Sequence, residues 1–167
     1  MPLDVATLTT EILKLTDKSR SDFVGFPLVL TPANAIDIVG TNDKVATNWA
    51  NAAGIFFATI VVPPVLPPVV AAGVAAFKAA MFALLGPPGS PTAAAALAAG
   101  FTAMAGVIAA GAVPPVAVPP PAPLVIPIGP PTADPLPPAA NIAAAVFAWA
   151  KTGLYGVPPQ PPSIPWS

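Results

Sequence analysis

The stretch Ser90-Pro-Thr-Ala-Ala-Ala-Ala-Leu-Ala-Ala-Gly-Phe-Thr-Ala-Met-Ala-Gly-Val-Ile-Ala-Ala-Gly111 decides the fold class. Alanine has the highest helix propensity because it loses no side-chain rotamer freedom. Ser90 is a good N-cap, and Pro91 fits the first helical position, where its missing N–H has no intrahelical partner to lose. Gly111 suits a left-handed terminator. The segment therefore reads as a helix over 91–110. Its small side chains permit close approach of a second backbone, which places Ala98, Gly100, Ala103 and Gly106 at expected helix–helix contacts.

Working outward, the same punctuation recurs. A helix over 69–85 runs into Gly86-Pro87-Pro88-Gly89, where glycine caps and proline blocks continuation. Upstream, Thr31-Pro32 opens a helix over 32–62, with Gly40-Thr41-Asn42 a candidate break. Trp49, Ala53, Phe56 and Ile60 share one of its faces, flanked by Phe57, and Pro63-Pro64 with Pro67-Pro68 form an extended connector. Val5, Leu8, Ile12 and Leu15 share a face of a first helix over 5–15, capped by Asp4. A polar connector, Asp17 to Asp22, leads to Phe23 and Phe26, which read as packing anchors.

Downstream, residues 114–138 alternate proline with Val116, Val118, Leu124, Val125, Ile126 and Ile128, the pattern of an extended arm lying on a surface. A short helix over 139–152 follows, with Gly153 or Gly156 as its cap. Residues 157–167 form an extended tail whose Trp166 is expected to be ordered only on assembly, in a neighbouring subunit's pocket. Three segments, Phe77–Gly86, Phe101–Gly111 and Phe147–Gly156, repeat an aromatic-bearing helix end, a glycine and a proline exit at uneven period. The expected fold is mainly α: alanine-rich helices joined by proline-rich extended arms. It divides into a polar helix and connector (1–30), a helical core (31–113), an arm (114–138), a short helix (139–156) and a tail (157–167).

Composition limits the chemistry. Charged residues are 8% of the 167, against about 25% in ordinary domains, and mean hydropathy is +0.77. A free monomer needs more polar surface than this, so lipid or protein is expected to cover much of the outside. Only Lys78, Asp134 and Lys151 carry charge after Lys44, and the net charge of −1 offers no basic field for nucleic-acid phosphates. Cysteine and histidine are absent, which removes thiolate nucleophiles, the commonest general base and the commonest metal ligands. Asp4, Glu11, Asp17, Asp22, Asp37 and Asp43 show no ligand spacing and read as caps and solvated surface. Lys78, in an apolar run, is expected to snorkel rather than act as a base. No cofactor and no enzymatic activity are expected. The start, Met1-Pro-Leu-Asp4, lacks the basic and apolar regions of a secretory signal.

Thr92 to Val113 runs 22 residues without charge or proline, long enough to cross a bilayer. Alanine drives insertion weakly, and flanking positive charges are missing, so burial in a protein assembly is the first expectation. A small integral-membrane protein with a pore-forming or lysis role is the alternative.

The polar first helix, the run Trp49-Ala-Asn-Ala-Ala-Gly-Ile-Phe-Phe57, the alanine-rich helices with proline exits and the closing Pro165-Trp166-Ser167 resemble small virion or baseplate proteins of large tailed bacteriophages. The resemblance implies a non-enzymatic subunit of a tail, neck or baseplate, located in the virion, oligomeric, and partnered by other virion proteins. Interaction candidates are Trp49, Phe56, Phe57, Phe77, Gly100, Phe101, Gly106, Phe147, Trp149 and Trp166.

Overall fold

Asp4 opens the first helix, α1 (Val5–Leu15), by accepting hydrogen bonds from the Ala6 amide at 3.0 Å, the Thr7 amide at 3.1 Å and the Thr7 hydroxyl at 2.7 Å. The Thr7 hydroxyl, followed by the Ala6 amide, holds the Asp4 carboxyl below its usual range. Leu8 and Ile12, one turn apart, are fully buried. This computed structural model describes residues 3–15, 38–85, 92–113, 116–128, 136–157, 159 and 161–167. The chain is mainly α-helical, and α1 has the bounds expected from its apolar spacing.

The centre is three successive helices: α2 (Ile38–Phe57), α3 (Pro67–Leu84) and α4 (Thr92–Ala110). Their close approaches give the directions. Phe77 of α3 meets Gly100 of α4, and Gly73, nearer the start of α3, meets Met104, later in α4. α3 and α4 therefore run antiparallel. Gly54 of α2 faces Val74, while Asn42 donates from its side chain to the Leu85 carbonyl at 3.3 Å, so α2 and α3 are antiparallel too. Between the helices lies an aromatic cluster, with Phe77–Phe101 and Phe56–Phe57 edge-to-face and Phe57–Phe101 tilted. Phe77 and Phe101 are 5.0 Å apart, Phe56 and Phe57 5.1 Å, and Phe57 lies 6.4 Å from Phe101. All four are fully buried, together with Met81, Leu97, Met104 and Ile108.

The last helix, α5 (Leu136–Ala150), buries Ile142, Val146 and Trp149 along one face and packs on α1. The Trp149 indole donates to the Ala122 carbonyl at 2.7 Å, which ties the stretch after 118 to α5 beside buried Leu124 and Ile126. Among the described residues, three two-residue strands complete the fold. β2 (Leu154–Tyr155) pairs antiparallel with β1 (Ala117–Val118) on one side and β3 (Ile164–Pro165) on the other.

Several boundaries differ from the sequence reading. α2 ends at Phe57 rather than at 62, because the chain tightens: Thr59 N–H donates to Phe56 and Ile60 N–H to Phe57, both at 3.1 Å, bonds of the three-residue kind that close a helix. The β-branched Val61 and Val62 then take extended pairing with Ser167. The helix is continuous through Gly40-Thr41-Asn42, so the candidate break does not occur. Pro67-Pro68 and Pro137-Pro138 lie inside the first turns of α3 and α5, where a missing N–H costs nothing, and both helices begin two or three residues earlier than expected. α5 ends at Ala150, short of 152, and α4 follows its expected span to Ala110. The Thr31-Pro32 and Ser90-Pro91 caps, the Gly86–Gly89 exit, the connector and aromatics at 17–27, Asp37, and residues 114–115 and 129–135 of the expected arm lie outside the described residues.

Candidate interaction surface

The aromatic interaction candidates point inward. Trp49, Phe56, Phe57, Phe77, Phe101, Trp149 and Trp166 are all buried in the chain's own core. Phe147 packs against that core, its ring 5.3 Å from the Lys151 ammonium. Gly100 sits at a close contact, as its residue type suggested: a β-carbon there would lie 2.9 Å from the Phe77 ring. Gly106 does not, because a β-carbon there would meet nothing within 4 Å. The expectation of a close contact at Gly106 is corrected. Gly106 lies on a face of α4 that the neighbouring helices leave clear.

Trp166 requires a second correction. It is fully buried, but in its own chain, seated so closely on Gly153 that a β-carbon there would lie 2.7 Å from the indole. Its N–H donates to the Leu154 carbonyl at 3.2 Å. An apolar ring of this size takes the nearest pocket that also satisfies its one donor, and β2 supplies both.

The surface left for contact lies elsewhere, on α3. Gly73, Phe77 and Met81 face the core, so Ala71, Ala75, Ala79 and Phe82, at steps of three or four, face outward and are exposed. Lys78, three residues after Ala75 and four before Phe82, is the one charged side chain on that face, and Leu84 is exposed at the end of the helix. Only 17% of the α3 span is buried in the fold, against 50% of the matching span of α4. Beside the stripe lies a groove of about 530 Å³ between α2 and α3, lined by Gly54, Ile55, Val65, Val70 and Val74, with Asn51 as its polar member. The missing side chain at Gly54 lets Val74 approach to 2.5 Å of where a β-carbon would stand.

Sequence reading sought contact residues among aromatics and missed this stripe. The available signal was the period of three to four residues at which Ala71, Ala75, Ala79 and Phe82 recur with Lys78 as the one polar residue on their face.

Lys78 is the one charge on α3 and shares the outward face with Ala75 and Phe82. Its ammonium lies 2.9 Å from an Asp43 carboxylate oxygen of α2, both side chains being more than a third exposed. The snorkelling expected of Lys78 is thus directed across to a neighbouring helix. An exposed pair of this kind contributes about 0.2–1 kcal/mol.

Among the described residues, no group of three or more carboxylates, histidines or cysteines stands close enough to hold a metal ion. None of the buried residues of the core is polar or charged. What this surface offers chemically is apolar area. No protein-family model matches the chain, and comparison with curated proteins and with solved structures gives no match either.

Proposed function

We propose that this chain is a small, non-enzymatic membrane protein whose helices α3 and α4 form an apolar hairpin embedded in lipid. The observation that carries the reading is the outward face of α3, where Ala71, Ala75, Ala79 and Phe82 are exposed around a single charge, Lys78, on a helix of which only 17% is buried by the rest of the fold. Water is a poor medium for such a face, and lipid a good one. The 18 residues of α3 and 19 of α4 span about 27 and 28 Å, close to the roughly 30 Å of a bilayer's hydrocarbon core. The Lys78–Asp43 pair offsets the one charge on α3. In this reading the alanine-rich helices supply apolar area, while the proline-rich stretches at 116–128 and 161–167 serve as extended arms that brace them.

A second reading, a virion subunit of a tail, neck or baseplate covered by neighbouring proteins, is favoured by one observation. α2 lies beside α3 and exposes Asp43, Lys44 and Asn51 at the level of the α3 stripe. Lipid would meet these polar groups at depth, whereas a protein neighbour could match them.

Membrane fractionation followed by alkaline carbonate extraction separates the two. Retention in the pellet after carbonate is the expected result. Complete release into the soluble fraction overturns the membrane reading in favour of assembly.

A further inference from the structure

The segment 164–167 is held on both sides. Trp166 N–H donates to the Gly153 carbonyl at 3.0 Å, and Ser163 N–H to the Tyr155 carbonyl at 3.0 Å. Across the other edge, Val62 N–H donates to the Ser167 main-chain oxygen at 3.0 Å, and Ser167 N–H to the Val62 carbonyl at 2.9 Å. With Trp166 fully buried over Gly153, this is a built slot: two pairing edges and one pocket shaped for an indole. Every one of those contacts follows a proline-rich hinge sequence, Val157-Pro-Pro-Gln-Pro-Pro162, four of whose six residues are proline, with positions 158 and 160 outside the described residues.

The hinge opposes the reversal that the closed chain makes. Proline fixes φ near −65° and favours an extended backbone rising about 3.1 Å per residue, so four prolines among six residues resist a tight reversal between β2 and β3. To bring residue 164 back beside 155, the Pro161–Pro162 backbone must fold against Gly156, where a β-carbon would lie 2.8 Å from the Pro162 Cα. Only a residue without a side chain fits under the turn.

We propose that the arm 164–167 exchanges between copies of this chain: each copy seats its Trp166 in the other's Gly153 slot, giving a symmetric dimer. Exchange conserves every bond and the whole Trp166 contact, because a second copy presents the identical slot. It also lets the proline hinge extend. What opposes it is the local concentration of the chain's own arm, of millimolar order for a short linker, so the exchanged form grows with protein concentration. The partner is a second copy, and the inference does not depend on whether lipid covers α3.

The test uses the absence of cysteine from the chain. Val62 and Ser167 exchange both N–H···O bonds, the geometry of a directly opposed pair with Cα atoms about 5.5 Å apart, within reach of a disulfide. Two single variants, Val62→Cys and Ser167→Cys, are unfolded, mixed, refolded together and oxidised, with detergent where the chain requires it. A Val62→Cys/Ser167→Cys double variant serves as control, and its intrachain disulfide shows that the slot is occupied. The expected result is a disulfide-linked heterodimer joining the two substituted positions. Its yield rises several-fold between about 10 μM and 1 mM protein and vanishes when Trp166→Ala is added to the Ser167→Cys chain. No heterodimer across that range, with the control closing its own disulfide, overturns the exchange. A control that fails to close overturns the slot itself. The mass of the unsubstituted chain provides a second measurement: a monomer at every concentration counts against the proposal, whatever the variants do.

Discussion

Two glycines on one helix show how a single side chain decides the local energetics. Gly100 and Gly106 both interrupt α4, and each costs about 1 kcal/mol of helix propensity relative to alanine. Their surroundings differ. At Gly100 a methyl group would stand 2.9 to 3.0 Å from three atoms of the Phe77 ring, which is fully buried and wedged edge-on against Phe101. Relief there requires moving an aromatic cluster, and overpacking of this kind costs about 1–3 kcal/mol. At Gly106 the methyl would enter open space. Gly100→Ala is therefore expected to be destabilising by about 1 kcal/mol net, the overpacking outweighing the propensity gain. Gly106→Ala should stabilise by about 0.5–1 kcal/mol. Denaturant unfolding of the two variants beside the parent checks both signs. Equal shifts in one direction would mean that α4 does not meet α3 through the face containing Gly100.

At the scale of elements, α3 divides the alternatives for what covers the molecule. Its Ala75 is exposed on the outward face, one turn before Lys78. Ala75→Arg puts a charge where the membrane reading places hydrocarbon, at a cost of about 2.5–3.5 kcal/mol for a residue at the centre of an inserting helix. The fold of the chain itself should be untouched, since the side chain points away from Phe77 and Met81. The expected outcome is loss of carbonate-resistant membrane association with an unchanged circular dichroism spectrum. Unchanged association would remove α3 from the lipid-facing surface.

The helices were largely legible from sequence because their signals are local. Asp4 ahead of Val5, Leu8 and Ile12 marks α1, and the alanine run before Gly111 marks α4. Local pattern puts the starts of α3 and α5 after their Pro-Pro pairs, although the first helical turn accepts proline. The strands gave no such signal. Each is two residues long, and proline lies within or directly after two of them, at Pro165 and Pro119, where its missing N–H argues against a ladder. The α3 surface was obscured for another reason: alanine on every face of the helix leaves no contrast between inside and outside.

Across the whole molecule, the arm 164–167 links parts of the chain that are far apart in sequence. Ser167 closes on Val61 and Val62 between α2 and α3, β3 pairs with β2 after α5, and Tyr155 of β2 donates through its hydroxyl to the Val113 carbonyl after α4 at 3.2 Å. Trp166 is the one large side chain that the arm buries, and no local pattern could have announced a partner segment some hundred positions upstream. Trp166→Ala would remove a fully buried indole from a site whose floor is Gly153 and would leave the Leu154 carbonyl without its donor. Truncation of a buried tryptophan costs about 3–5 kcal/mol, a large share of the 5–15 kcal/mol typical of a folded domain. The loss should appear in the isolated chain, as a lower denaturant midpoint and faster amide exchange at Val62 and Ser167, whose paired N–H groups would open together. A pocket supplied solely by another protein would give the opposite pattern, an isolated chain with unchanged stability and defective association. Exchange between identical copies predicts that both stability and dimer formation fall, because one slot serves the closed and the exchanged arm alike.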